Sequence, residues 1–335
     1  MVSFKGLGKS CIMVIVVAGV EKFTFKGIQS NLVTYLTEVM KMSTSTAVKI
    51  VNIWFGVSYS LPIIAAFLAD YFSDRYSTLT ISGVLYVSDS EEQQMPIEEK
   101  KSLVRLIPIW GMLLVFSIVL QQPVTFFTKQ GLGMKRNFGS GFVIPSASLQ
   151  GAKSITIILL VPVYDKIVTP IFRFITRSKK GITVMQRMGV GLFLSALAMA
   201  IAAVIETQRL NISRREPNTG SDQMNIFWLL PQYIIMGMSE VFTIVGMQEF
   251  FYSEVPTKLK TLGMALPTGV FGVGSFLSAI LISILDKATI GRDGKHSWFS
   301  DDEKESHLDK YYWLLTVLSA VSLVCFAVYS RKFYH

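Results

Sequence analysis

Val184–Ile205 reads VMQRMGVGLFLSALAMAIAAVI, with no charged residue between Arg187 and Glu206. A helix over this stretch is about 33 Å long at 1.5 Å per residue, enough to cross a hydrocarbon core of roughly 30 Å. Outward from it, seven more apolar blocks have the same character: Cys11–Leu36, Ala47–Ala69, Leu106–Phe127, Leu149–Phe172, Phe227–Phe250, Leu262–Leu285 and Tyr311–Tyr329. A shorter one, Ser77–Val87, covers about half the core. It runs straight into the acidic segment Ser88–Lys101, so it is expected to enter the membrane without crossing. The composition agrees, with 51% hydrophobic and 16% charged residues and a mean hydropathy of +0.46, whereas soluble domains hold about 25% charged residues. The chain is predicted to be an all-α, multi-pass integral membrane protein surrounded by lipid.

Several function classes drop out. Cys11 and Cys325 are the only cysteines and each lies in an apolar block, which excludes a disulfide-stapled secreted domain. The net charge of +9 is the excess of Lys and Arg that basic cytoplasmic loops supply, so no nucleic-acid partner is read from it. His296, His307 and His335 fall outside the blocks, leaving no histidine metal site or proton relay within the membrane. Gly6-Leu7-Gly8-Lys9-Ser10 ends like a phosphate-binding loop, but Ser3 stands where that motif needs its first glycine. No nucleophile-base set, cofactor or ATP hydrolysis is expected, and an ion gradient is left as the energy source.

Arg173, Arg177, Lys179, Lys180 and Arg187 occur between the fourth block and the first turns of the fifth with no acid among them, which assigns this loop to the cytoplasm. Counting spans from it puts both termini inside. The loops expected outside are Glu206–Met224, with a glycosylation sequon at Asn211-Ile212-Ser213, and the acid-rich Lys287–Lys310. The first block is too long, and too interrupted by Glu21, Lys22 and Lys26, to be a cleavable signal peptide.

Charges within the spans are the informative residues. A charge at mid-bilayer costs at least about 2.5 kcal/mol, so each must face a partner, a cavity or water. Lys22 and Lys26 fall on one helix face, where like charges repel, and an anion or carboxylate is expected beside them. The alternative is that Glu21 neutralises Lys22 while Lys26 reaches to the interface. In the sixth block Glu240 lies among apolar neighbours and is by position the most deeply placed acid, a candidate for substrate or proton binding. Its alternative is a buried interhelical pair with a lysine such as Lys153. Gln121, Gln122, Gln150, Lys153, Gln232 and Gln248 either line a hydrated pathway or tie helices together. Glu249 and Tyr252 read as a pair that anchors a loop.

Leu68-Ala69-Asp70 followed by Arg75-Tyr76 resembles the loop signature of the major facilitator superfamily. Glu21-Lys22-Phe23, Asn52-Ile53-Trp54, Ala66-Phe67-Leu68-Ala69-Asp70, Gln186-Arg187-Met188-Gly189-Val190-Gly191, Ser239-Glu240-Val241-Phe242, Glu249-Phe250-Phe251-Tyr252 and Leu308-Asp309-Lys310-Tyr311-Tyr312-Trp313, in this order, resemble the plant nitrate/peptide transporter family of proton-coupled oligopeptide transporters. The resemblance implies two six-helix bundles joined by a cytoplasmic linker around a central cavity. It implies an internally shortened member: residues 1–87 a remnant of the N-terminal bundle with about two spans plus a stub, 88–105 a linker remnant, and 106–335 an intact C-terminal six-span bundle.

The implied function is symport of nitrate, another small anion or a di- or tripeptide with protons, in the plasma or vacuolar membrane. Glu21, Lys22, Lys26, Gln150, Lys153 and Glu240 line the path, with Asp70 and Arg75 as the loop signature. The first-span motif departs from the family's Glu-x-x-Glu-Arg-Phe: Ala18 replaces one acid and Lys22 the arginine, and lysine lacks the planar bidentate fork of arginine. The alternative is a truncated, non-transporting product, inactive or bound to a full-length carrier.

Overall fold

The structure, a computed structural model, describes residue 25 and residues 27–71, 97–138, 141–163, 182–215, 223–290, 297–300 and 306–333. Glu21, Lys22, Lys26, Arg75 and the stub Ser77–Val87 lie outside the described residues, and of Asp70 only the backbone is described.

Helix α1 is described from residue 27 and closes in a π-helical turn, Tyr35–Val39. It is followed by α2 (Thr44–Tyr71), α3 (Ile97–Leu120), the short α4 (Phe126–Leu132), α5 (Gln150–Val163), α6 (Val184–Arg215), α7 (Leu230–Glu254), α8 (Lys260–Thr289) and α9 (Leu308–Phe333). Among the described residues six of these, α2, α3, α6, α7, α8 and α9, are long and apolar enough to cross a membrane. Of the two remaining predicted blocks, the first lies mostly outside the described residues, and the fourth is described only as far as Val163.

Local sequence sets the ends. Thr183 and Gln186 form a reciprocal capping box: the Thr183 amide donates to Gln186 Oε1 at 3.1 Å and the Gln186 amide to Thr183 Oγ1 at 3.2 Å. Two boundaries correct the sequence reading. The block Leu106–Phe127 is not one helix, because α3 ends at Leu120, a turn over 121–125 follows, and α4 starts afresh at Phe126. Pro123 supplies no amide and disfavours helix in the residue before it. Its carbonyl instead accepts from Thr128 Oγ1 at 3.0 Å and Tyr233 Oη at 3.1 Å. The second correction is α6, which runs ten residues past Ile205 to Arg215, so the expected outer loop begins as helix. A two-residue hairpin, Asn137–Phe138 against Phe142–Val143, is a small addition to an otherwise all-α fold.

α7 lies between α5, α6 and α8, while α9 packs on α6 and α3, and α3 on α8. α2 packs along α8, its most extensive partner. Their joint is polar at one end, where Asp286 accepts from Ser45 Oγ at 2.5 Å and Lys49 Nζ at 3.1 Å. Further along, Asn52 Nδ2 donates to Ser278 Oγ at 3.0 Å. Beyond that the backbones touch: a Cβ added to Gly272 would stand 2.8 Å from the Ser60 nitrogen, so only glycine lets the two helices come this close. The core has two centres. One is a nest of rings from Phe126, Phe127, Tyr233, Phe299, Tyr311 and Tyr312; the other gathers Leu113, Phe116, Met247, Phe250 and Phe326.

Candidate functional site

Gln150-Gly151-Ala152-Lys153 forms the first turn of α5, entered through the 3-10 turn Ser146–Leu149. This turn lies against the middle of α7. A Cβ on Gly237 would sit 2.9 Å from the Lys153 carbonyl oxygen and 3.3 Å from its Cγ. Glu240, one turn further along α7, therefore faces the lysine, and Lys153 Nζ lies 2.7 Å from Glu240 Oε2. The lysine side chain is 7% exposed and the glutamate's 17%. In so dry a setting the opposite charges compensate each other's lost hydration, and removing either leaves an uncompensated charge. The sequence alternative for Glu240, an interhelical pair with Lys153, is the arrangement seen.

Gln150 sits on the same turn as Lys153. Its Nε2 donates to Thr128 Oγ1 at 3.2 Å and to the Ser30 carbonyl at 3.4 Å, tying α1, α4 and α5 together. Three other amides act as ties as well: Gln121 Nε2 donates to Ser275 Oγ at 2.9 Å, Gln122 Nε2 to the Tyr311 hydroxyl at 3.4 Å and Gln232 Nε2 to Gln130 Oε1 at 3.1 Å, whereas Gln248 is exposed. Glu249 and Tyr252 do not pair with each other. Glu249 binds Arg187 of α6, while the Tyr252 ring carries the Lys260 ammonium 4.8 Å from its centroid.

Two more ionic contacts, besides Arg187–Glu249, escaped the sequence reading. Glu206 of α6 is fully buried and takes Arg209 Nε at 2.9 Å and Nη2 at 2.8 Å in a bidentate pair. The signal was its i, i+3 spacing with Arg209, which a helix places side by side. Lys49 and Asp286 are the second. A cavity of about 180 Å³ lies near the first of these, lined by Thr44, Lys129, Gln130, Arg209 and Phe299 among others, and shares no residue with the Lys153–Glu240 pair. Among the described residues no cluster of His, Cys, Asp and Glu could hold a metal ion.

A family model, PTR2, described as the POT family, matches residues 11–299. The chain belongs to the POT family. The family is one of membrane transporters, not of enzymes, and the chain is an integral, multi-pass membrane protein of all-α, major-facilitator type. Among curated relatives, Protein NRT1/ PTR FAMILY 5.9 of Arabidopsis thaliana is 33% identical over 544 residues, covering 98% of this chain and 96% of the relative. The alignment is far longer than the chain of 335 residues, so a long internal stretch of that relative has no counterpart here. Protein NRT1/ PTR FAMILY 5.11 of the same plant is 44% identical over 71% of this chain and 43% of its own length. The POT family transporter PepTSo superposes with a TM-score of 0.57 at 18% identity, over 92% of this chain and 57% of its own. An auto-inhibited POT family peptide transporter gives 0.57 at 17% identity, over 86% and 53%. The chain thus spans little more than half the length of these solved POT structures.

Proposed function

We propose that this POT family chain is a solute carrier of the nitrate/oligopeptide type, moving a small anion or short peptide across the plasma or vacuolar membrane with both termini in the cytoplasm. The observation that carries the reading is the Lys153–Glu240 ion pair, set 2.7 Å apart between two helices within a bundle of transporter fold. Intramembrane ionisable pairs mark substrate and ion pathways, and repeat-built carriers bind near the midplane. Gln150 adjoins the pair on α5, and Glu21, Lys22 and Lys26 are assigned to the same path, with Asp70 and Arg75 in the cytoplasmic loop signature. Residues 1–87 are read as the remnant of the N-terminal bundle, 88–105 as linker and 106–335 as the C-terminal bundle. Protons are proposed as the coupling ion, with Glu21 and Glu240 the acids available to carry them.

The test is uptake of nitrate and dipeptides into proteoliposomes holding the purified chain, compared with Glu240→Gln, with and without an inward proton gradient. Uptake that Glu240→Gln abolishes supports the carrier. Uptake equal to protein-free vesicles for every solute contradicts it. That outcome supports a second reading, a non-transporting shortened membrane protein, which the missing internal stretch favours.

A further inference from the structure

We infer that the start of α3 and the end of α9 form a binding site for one anionic phospholipid, its phosphate held by Arg105, Arg331 and Lys332 and its chains lying along the outward valines of the two helices. The inference asks only for a bilayer around the bundle and goes beyond the carrier reading without resting on it. Two segments 228 positions apart meet at this corner. Arg105 of α3 donates from Nη2 to the Phe333 carbonyl in the last turn of α9, and its guanidinium carbon stands 4.2 Å from the centroid of the Phe333 ring. Tyr329 Oη returns a bond to the Arg105 carbonyl at 3.3 Å, and Phe333 is buried against Phe250. This clamp fixes Arg105 beside Arg331 and Lys332.

All three cations are exposed, and a guanidinium has five donors in a planar fork that matches phosphate. Among the described residues Arg331 and Lys332 meet no acid. Of the acids at this end, Glu249 is held by Arg187 and Glu254 closes α7. The first turns of α3 carry Glu98 and Glu99 with Lys100 and Lys101, so the ends of these two helices hold five cations and two acids. The cations continue apolar stripes. On α9, Val317, Val321, Val324 and Val328 are 54–62% exposed at the spacing of one helix face, and Arg331 and Lys332 follow one turn on. On α3, Val104 and Ile107 are exposed to the same degree, and positions 100 and 101 share the face of Val104 by spacing. The two helices pack directly, Ser322 Oγ donating to the Met112 carbonyl at 2.7 Å. Exposed valines are ordinary in a membrane, but cations from two helices clamped together at the end of such a surface match a lipid's own order of chains and phosphate. Basic sites between spans at the leaflet surface bind anionic head groups in this way.

The experiment titrates the full chain in mild detergent with phosphatidylcholine, phosphatidylserine and phosphatidylinositol 4-phosphate, and counts bound lipid by native mass spectrometry. One anionic lipid is expected to bind in preference to phosphatidylcholine. Arg331→Gln/Lys332→Gln is expected to weaken that preference about fivefold for each cation removed, and Arg105→Gln about fivefold. Arg331 and Lys332 are exposed, so the double variant tests the site even where Arg105→Gln unfolds. Lys179→Gln/Lys180→Gln removes the same charge from the loop before α6 and is expected to leave the preference intact. Soluble inositol 1,4-bisphosphate, a head group without chains, is expected not to displace the bound lipid at equal concentration. Equal binding of all three lipids by the wild type overturns the inference, as does a preference unchanged in the Arg331/Lys332 variant. So does an equal loss in the Lys179/Lys180 control, which would make net charge the cause, or displacement by the soluble head group, which would assign the site to phosphate alone. Transport does not enter the readout, so a failure of the carrier reading and a failure of this inference are told apart.

Discussion

Lys153 of α5 and Glu240 of α7 are joined by a 2.7 Å ion pair whose geometry depends on the missing side chain at Gly237. Gly237→Leu is expected to push α5 off α7 and lengthen the pair, costing about 1–3 kcal/mol by overpacking. The melting temperature in detergent, read by a thiol-reactive dye, checks this. A variant as stable as the wild type would show that the two helices are not packed as described.

The Glu206–Arg209 pair is bidentate and buried. Glu206→Gln leaves a guanidinium without its counter-charge and is expected to destabilise by about 3–5 kcal/mol. Glu206→Leu with Arg209→Met removes both charges and is expected to be milder than the two single changes summed. Thermal unfolding of the wild type, Glu206→Leu, Arg209→Met and the double variant completes the cycle, and strict additivity would contradict the pairing.

Lys49 and Asp286 fasten α2 to α8 where their side chains are 24% and 22% exposed. Solvent screens a pair of this kind, so Lys49→Ala is expected to cost about 1 kcal/mol or less. The interface itself, with Ser60 against Gly272, matters more, and Gly272→Leu is expected to free α2. Disulfide trapping between cysteines placed at positions 52 and 278 reports it: efficient cross-linking in the wild-type background, and loss of it with Gly272→Leu.

Much of this architecture is legible in the sequence because crossing a bilayer imposes length and apolarity together. The blocks that became α2, α6, α7, α8 and α9 are read directly from runs such as Val184–Ile205. The misreadings have local causes. Pro123 is one residue among many apolar ones, and a hydropathy window passes over it. Glu206 and Arg209 look like the start of a polar loop, yet each neutralises the other and the helix continues. Lys153 as partner of Glu240 was available only as an alternative, since sequence gives no distance between α5 and α7. Lys49 and Asp286 are 237 positions apart, and each sits near a span end, where a charge needs no special explanation.

His307 gives the fold a pH response outside the spans. Burial, then the charges of Lys310 and Arg214, hold its imidazole below the ordinary 6.5, with Asp309 pulling the other way. The unfolded chain therefore takes up this proton at a higher pH than the folded one. The contribution is complete above about 6.5 and is lost as pH falls through that value towards the lower folded one. The melting temperature is expected to drop between about pH 7 and 5, and His307→Asn to make the drop shallower. An equal slope in both proteins would remove His307 as the cause.

The central claim, that the ion pair borders a solute path, is tested most directly by the reactivity of Glu240→Cys towards two water-soluble thiol reagents of opposite charge in sealed, inside-out and right-side-out vesicles. With Lys153 left in place, the account predicts that position 240 is labelled from the aqueous phase and that the anionic reagent reacts faster than the cationic one. Labelling by membrane-soluble reagents alone, or faster reaction with the cationic reagent, would contradict it.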